Sequence, residues 1–286
     1  METCIRPPTE QNTSPRATAK ELLQLLVFFL LSAALSWTVW LWPVDDRERF
    51  LLFVFGFEFK IPLFTMKLLI GNCLPGLLAV IWAFCEGKDQ FRRMLSTLTK
   101  WRTPLQWYVI AVALPWAVFL ATLVAVSFYF PTDRRVPTAI GFFSILLMTL
   151  PFGPLWEELA WRAFPLRKLE SRYSRLVSAL LLGLYWGVWH IPMWLVLGSI
   201  PINKVTFFSI GIIHVTAWSV MFAYLYHCSS ESLPVLILLH ATYAAANIQM
   251  LALAPDLHPQ LIYVSAILSV CLAVPFAKAL QGMTIS

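Results

Sequence analysis

After a polar start at residues 1–19, the chain is a succession of apolar runs separated by short polar segments. A helix needs about 20 apolar residues to span roughly 30 Å of hydrocarbon, so each run of that length predicts a membrane crossing. Such runs occupy 22–42, 66–85, 106–130, 137–156, 176–197, 205–226, 233–253 and 261–279. The run 51–64 is apolar but carries Glu58 and Lys60, which predicts an interfacial or re-entrant piece. The pattern predicts an all-α, polytopic transmembrane bundle of about eight helices. It forms one membrane domain over 20–286, behind a disordered N-terminus at 1–19. The first run is too long and too late for a signal peptide, and no small-residue cleavage site follows it before Pro43.

Composition sharpens this picture. Apolar residues make up 59% of the chain and charged residues 13%. An average soluble domain is about 25% charged, so a soluble enzyme is excluded. The net charge of +6 suggests no nucleic-acid partner, because the basic residues lie in loops between apolar runs, where they face anionic lipid and set orientation. With the N-terminus in the cytoplasm, the inner side carries Arg6, Arg16 and Lys20, then Lys88, Arg92, Arg93, Lys100 and Arg102, then Arg162, Arg167, Lys168, Arg172 and Arg175, and Lys278. The outer side carries Arg47, Arg49, Lys60, Arg134, Arg135 and Lys204. This imbalance predicts cytoplasmic N- and C-termini. Five cysteines are scattered without a Cys-x-x-Cys pair, which argues against a thiolate zinc site or a redox pair.

The chemistry concentrates on a few ionisable groups in apolar surroundings. Glu157 and Glu158 adjoin the run 137–156, and a carboxylate at such depth is costly unless paired, hydrated or protonated. Arg162 is four residues after Glu158, on the same helix face and in the favourable order for an ion pair. Glu157 is turned about 100° away and faces no base at its own i+4 position, Trp161. Glu157 is therefore the better general base or metal ligand; the bland alternative is a pair of snorkelling carboxylates at a helix end. His190 and His240 lie in two further apolar runs, and each can accept a proton, hold a water or bind a divalent metal. Taken singly, each is more often a packing or interhelical hydrogen-bonding residue. Asn247 shares roughly the face of His240 two turns on. His214 reads as structural, and His227 and His258 as interfacial. No His-Glu-x-x-His is present, so a zinc site would have to be assembled from separate helices. The depths of Glu157, His190 and His240 agree if a water-filled cavity reaches into the bundle from the cytoplasmic side.

Three spaced motifs carry a resemblance. Glu157, Glu158 and Arg162 form Glu-Glu-x-x-x-Arg; Trp186 and His190 form an aromatic four residues before a histidine, followed by Pro192; and Ser232-Leu233 leads through Ile237-Leu238-Leu239 to His240. The chain resembles the CPBP family of intramembrane proteases, which includes the type II CAAX prenyl endopeptidases and bacteriocin-processing or self-immunity proteins. The resemblance covers most of 66–250, with a protease-like core at about 137–253. It departs from the family in two places: Phe is the commoner aromatic where Trp186 stands, and the Asn or Asp expected four residues after His240 is Ala244. The resemblance implies an intramembrane endopeptidase in which Glu157 and His190 hold a water and His240 steadies the oxyanion. The nearest amide is then Asn247. Glu157, His190 and His240 would also serve as three ligands for zinc, although a metal-free glutamate mechanism uses the same residues. The implied substrate is a membrane-associated peptide or protein; with no processing or retention signal in the sequence, the expected location is a bacterial or archaeal plasma membrane. Two other classes compete: a member that has lost catalysis and acts as scaffold or regulator, and an ion-coupled transporter. A transporter would usually show an internal repeat, and none is visible.

Overall fold

The computed structural model describes residues 19–45, 47, 49–54, 57–130, 139–197, 204–253 and 258–283. The expected disorder at 1–19 and the loop with Arg134 and Arg135 therefore fall outside the described residues, apart from Ala19. The chain forms a polytopic helical bundle. Among the described residues seven helices are long and apolar enough to cross a membrane. They are α1 (Ala19–Leu41), α2 (Leu63–Glu86), α4 (Leu105–Tyr129), the segment Arg175–Val196, α10 (Lys204–Cys228), α11 (Leu233–Leu253) and α12 (His258–Gly282). The connecting helix α3 (Lys88–Leu98) buries Met94 and Thr97 and carries Lys88, Arg92 and Arg93.

Two predicted segments come out differently. The run 51–64 belongs to an antiparallel hairpin, β1 (Arg49–Val54) with β2 (Phe57–Pro62), and only its end enters α2. Its period-two alternation Phe57-Glu58-Phe59-Lys60-Ile61 is a strand signal. The run 137–156 is not one crossing. α5 (Ala139–Thr149) is only 11 residues long, about 16 Å at 1.5 Å per residue. Pro151 has no N–H to continue it, and the Thr149 carbonyl instead accepts from the backbone N–H of Phe152 and of Gly153, both at 3.1 Å. Pro154, at the first helical position where a missing N–H costs nothing, starts α6 (Pro154–Glu158). The helix continues through a π-helical stretch, Leu159–Leu166, into α7 (Arg167–Glu170). Pro165 lies inside that stretch and removes one backbone donor, which suits the wider π spacing.

The segment Arg175–Val196 bends for a similar reason. It divides into α8 (Arg175–Trp189) and α9 (Ile191–Val196), with His190 at the junction. Pro192 supplies no N–H to the turn before it. α8 lies close against α10: a Cβ on Gly183 would stand 2.7 Å from the Ser219 side chain and 2.8 Å from the Thr216 backbone. Small residues permit such close approach in membranes, where packing rather than water drives association.

α2 approaches the helix of the glutamates equally closely. A Cβ on Gly76 would stand 2.4 Å from the Trp156 carbonyl oxygen. Gly76→Ala is therefore expected to push α2 away from the site helix and cost about 1–3 kcal/mol, read as a lowered unfolding midpoint of the purified protein. The far end of the site helix is clasped as well. Glu231, in a left-handed turn at φ 62° after α10, pairs with Arg167 and with Lys100 Nζ at 2.9 Å. Glu170 pairs with His227 at 2.7 Å. The helix carrying Glu157 and Glu158 is thus fixed at both ends.

Candidate active site

The ionisable residues of the apolar runs meet where the site helix, α8 and α11 face one another. Glu157 is 3% exposed, His240 5%, and Glu158 and Arg162 fully buried. Charges this deep persist only when paired and hydrogen-bonded. Glu158 supplies the pairing: its Oε1 accepts from Arg162 Nη1 at 3.3 Å and from His240 Nδ1 at 2.7 Å. The guanidinium of Arg162 lies 4.6 Å from the ring centres of both Trp186 and Phe222, so aromatic faces take the place of water around the cation.

These bonds set the tautomers. An ionised carboxylate only accepts, so His240 carries its proton on Nδ1 and turns Nε2 toward Glu157 Oε2, 4.0 Å away. His190 Nδ1 lies 2.8 Å from the Trp186 carbonyl, also an acceptor only, and its Nε2 is likewise left with a lone pair. Neutral His240 therefore offers an acceptor at Nε2. It becomes a donor there only when both ring nitrogens carry a proton.

Glu157 is held by aromatic donors. Its Oε2 accepts from Trp186 Nε1 at 2.9 Å and from Trp161 Nε1 at 3.4 Å. Its i+4 neighbour thus supplies an indole N–H where a base is lacking. Oε1 carries no hydrogen bond among the described residues and stays available. Trp186 also stands edge-on to the His240 ring, 5.3 Å between centres, and 5.7 Å from the His190 ring. The Trp at the motif's aromatic position therefore joins the glutamate to both imidazoles. Trp186→Phe keeps the ring but removes the donor; it is expected to lower stability by about 1–3 kcal/mol, the cost of an unpaired buried polar group, in thermal unfolding.

Glu157, Glu158, Arg162 and His240 come together directly, and His190 joins them through the Trp186 ring, which contacts both imidazoles. Asn247 does not. Its amide donates to the Tyr243 carbonyl at 2.8 Å and lines a separate small void with Pro115, Trp218 and Ser265. His214 stacks on Tyr243 at 5.8 Å, in keeping with a packing role. Sequence reasoning passed over the indole N–H groups of Trp161 and Trp186 as donors, although their helical spacings to Glu157 and His190 were visible.

The fit to a metal is poor as the side chains stand. Among the described residues no group of three or more His, Cys, Asp or Glu side chains gathers around one point. Glu157 Oε2 is engaged by two indoles, and His240 Nε2 lies 4.0 Å from it.

A family-model match falls on this same part of the chain. Residues 139–246 match the family model described as type II CAAX prenyl endopeptidase Rce1-like. A CAAX prenyl protease 2 from Methanococcus maripaludis is 28% identical over 90 residues, which are 30% of this chain and 33% of that protein. The match thus spans about a third of the length of the curated relative. The matched interval contains Glu157, Glu158, Arg162, Trp186, His190 and His240, and stops one residue short of Asn247. With three motifs in order and their side chains assembled in one buried cluster, residues 139–246 of this chain are similar to the type II CAAX prenyl endopeptidases.

Proposed function

We propose that the chain is an intramembrane endopeptidase that hydrolyses a peptide bond of a membrane-associated substrate with a water activated by Glu157 and His190. One observation carries this reading most: Glu157 sits in a buried, family-matched cluster with Oε2 tied to two indoles and Oε1 free. A carboxylate so held is oriented for proton transfer. Glu157 Oε1 takes a proton from the water as its oxygen bonds to the carbonyl carbon, and His190 orients the water through Nε2. The carbonyl electrons move to oxygen, and His240, entering the step as an imidazolium with Nδ1 bonded to Glu158, donates a hydrogen bond from Nε2 to that oxyanion and keeps its proton. The protonated Glu157 then gives its proton to the amine as the C–N bond breaks. Arg162 stays paired with Glu158 throughout.

The chamber opens, in this reading, to the cytoplasmic side with the basic loops and both termini. The purified protein in liposomes, offered prenylated and unprenylated membrane-tethered peptides, tests the function: new termini identified by mass spectrometry support it, and intact peptides throughout contradict it. Treatment with a chelator tests zinc. Unchanged cleavage fits a mechanism borne by the side chains; loss restored by Zn2+ requires Glu157 and the imidazoles to draw together. Ala244 favours a second reading, a family member without catalysis that acts as a scaffold, for which no peptide would be cut.

A further inference from the structure

Position 244 lacks the amide of the third motif, and Asn247 does not replace it, so the cluster around Glu157 offers no neutral amide donor from α11. Another helix brings one. Asn72 lies on α2 one turn before Gly76, where α2 presses against the Trp156 backbone. Across from it, Gly153 forms the wall beside the start of the site helix. A Cβ on Gly153 would stand 3.5 Å from Glu157 Oε1 and 3.7 Å from Asn72 Nδ2. The free carboxylate oxygen and the amide nitrogen therefore border the same gap, kept open by the missing side chain. Asn72 is half-buried, its Nδ2 makes no hydrogen bond among the described residues, and its Oδ1 is buried without a partner. Its neighbour Cys73 donates to the Phe152 carbonyl at 3.1 Å, which anchors this turn of α2 against the break before α6.

We propose that Asn72 supplies, from α2, the amide hydrogen-bond donor to the substrate carbonyl that position 244 lacks in this chain. The proposal rests on the endopeptidase reading above. As water adds, the carbonyl electrons pass to oxygen, and Asn72 donates an N–H to that oxyanion without changing protonation. The proton of the water goes to Glu157 Oε1 on the other side of the gap. His240 reaches the reaction from the Oε2 side, so the two donors flank the carboxylate. Asn72 lies outside the family-matched interval 139–246.

The test compares kcat and KM for a cleaved membrane-tethered peptide in wild type, Asn72→Ala, Asn72→Asp and Glu157→Gln, with unfolding midpoints for each. Removing an oxyanion donor typically costs about 10²–10³ in kcat. Both Asn72 variants are expected to show that loss with KM unchanged; the isosteric Asp keeps the packing while removing the N–H2. Wild-type kcat in either variant while Glu157→Gln is inactive overturns the donor role and leaves the endopeptidase reading standing. A defect confined to KM also overturns it. Wild type and Glu157→Gln behaving alike, whether both cut or neither, overturns the endopeptidase reading itself.

Discussion

Glu157→Gln is expected to lower kcat for peptide hydrolysis by about 10²–10⁴-fold, the usual contribution of a positioned general base. The amide has nearly the shape of the carboxylate. Its carbonyl oxygen can still accept from Trp186 and Trp161, the two donors that hold Glu157 Oε2. The unfolding midpoint should therefore stay near that of wild type, and KM should change little. What disappears is a site for the proton of the attacking water. Initial rates in liposomes together with thermal unfolding check this: a slow, fully folded variant is the expected result. A variant as fast as wild type would remove Glu157 from the chemistry.

Arg162→Met should act in the opposite way, on the fold first. Glu158 is fully buried, and its charge is shared between Arg162 Nη1 and His240 Nδ1. Without the guanidinium, a carboxylate remains in an apolar interior with one partner. Breaking a buried ion pair from one side costs about 3–5 kcal/mol, a large fraction of what holds a typical domain together. The expected result is a sharply lowered unfolding midpoint and little recoverable folded protein. Replacing both partners, Arg162→Met with Glu158→Met, should recover much of that stability, since apolar groups can fill the same space. It should not recover hydrolysis, because His240 then loses the carboxylate that fixes its tautomer. Equal stability in the single and double variants would show that the pair does not hold this region.

Local geometry made part of this architecture legible from the chain. Seven of the apolar runs are membrane-length helices, because a run of that length has few alternatives in lipid. The Glu158–Arg162 contact follows from helical spacing alone. The breaks were harder to read. Pro151, Gly153 and Pro154 interrupt a run whose hydrophobicity is continuous, and a hydropathy window does not register a missing N–H. The hairpin Arg49–Val54 with Phe57–Pro62 was hidden similarly, since apolar content outweighed the alternation within it.

Contacts distant in sequence were out of reach. His240 meets Glu158 across 82 positions, and only the packing of α11 on the site helix joins them. Asn247 is separated from His240 by rise and not by rotation: on roughly the same face it lies about 10 Å further along the helix, and its amide turns back to Tyr243. Asn72 gave no signal at all, as a single polar residue in an apolar run has no motif around it. Trp186 was visible as an aromatic at the right spacing, but its indole N–H becomes meaningful only when Glu157 lies 2.9 Å away.

The most direct measurement is hydrolysis of a membrane-tethered peptide in H₂¹⁸O by wild type and Glu157→Gln, side by side in liposomes. Mass spectrometry of the new carboxyl terminus should find ¹⁸O in the wild-type product and a fragment yield at background for the variant. Equal yields of labelled fragment from both proteins would contradict the claim that Glu157 activates the water.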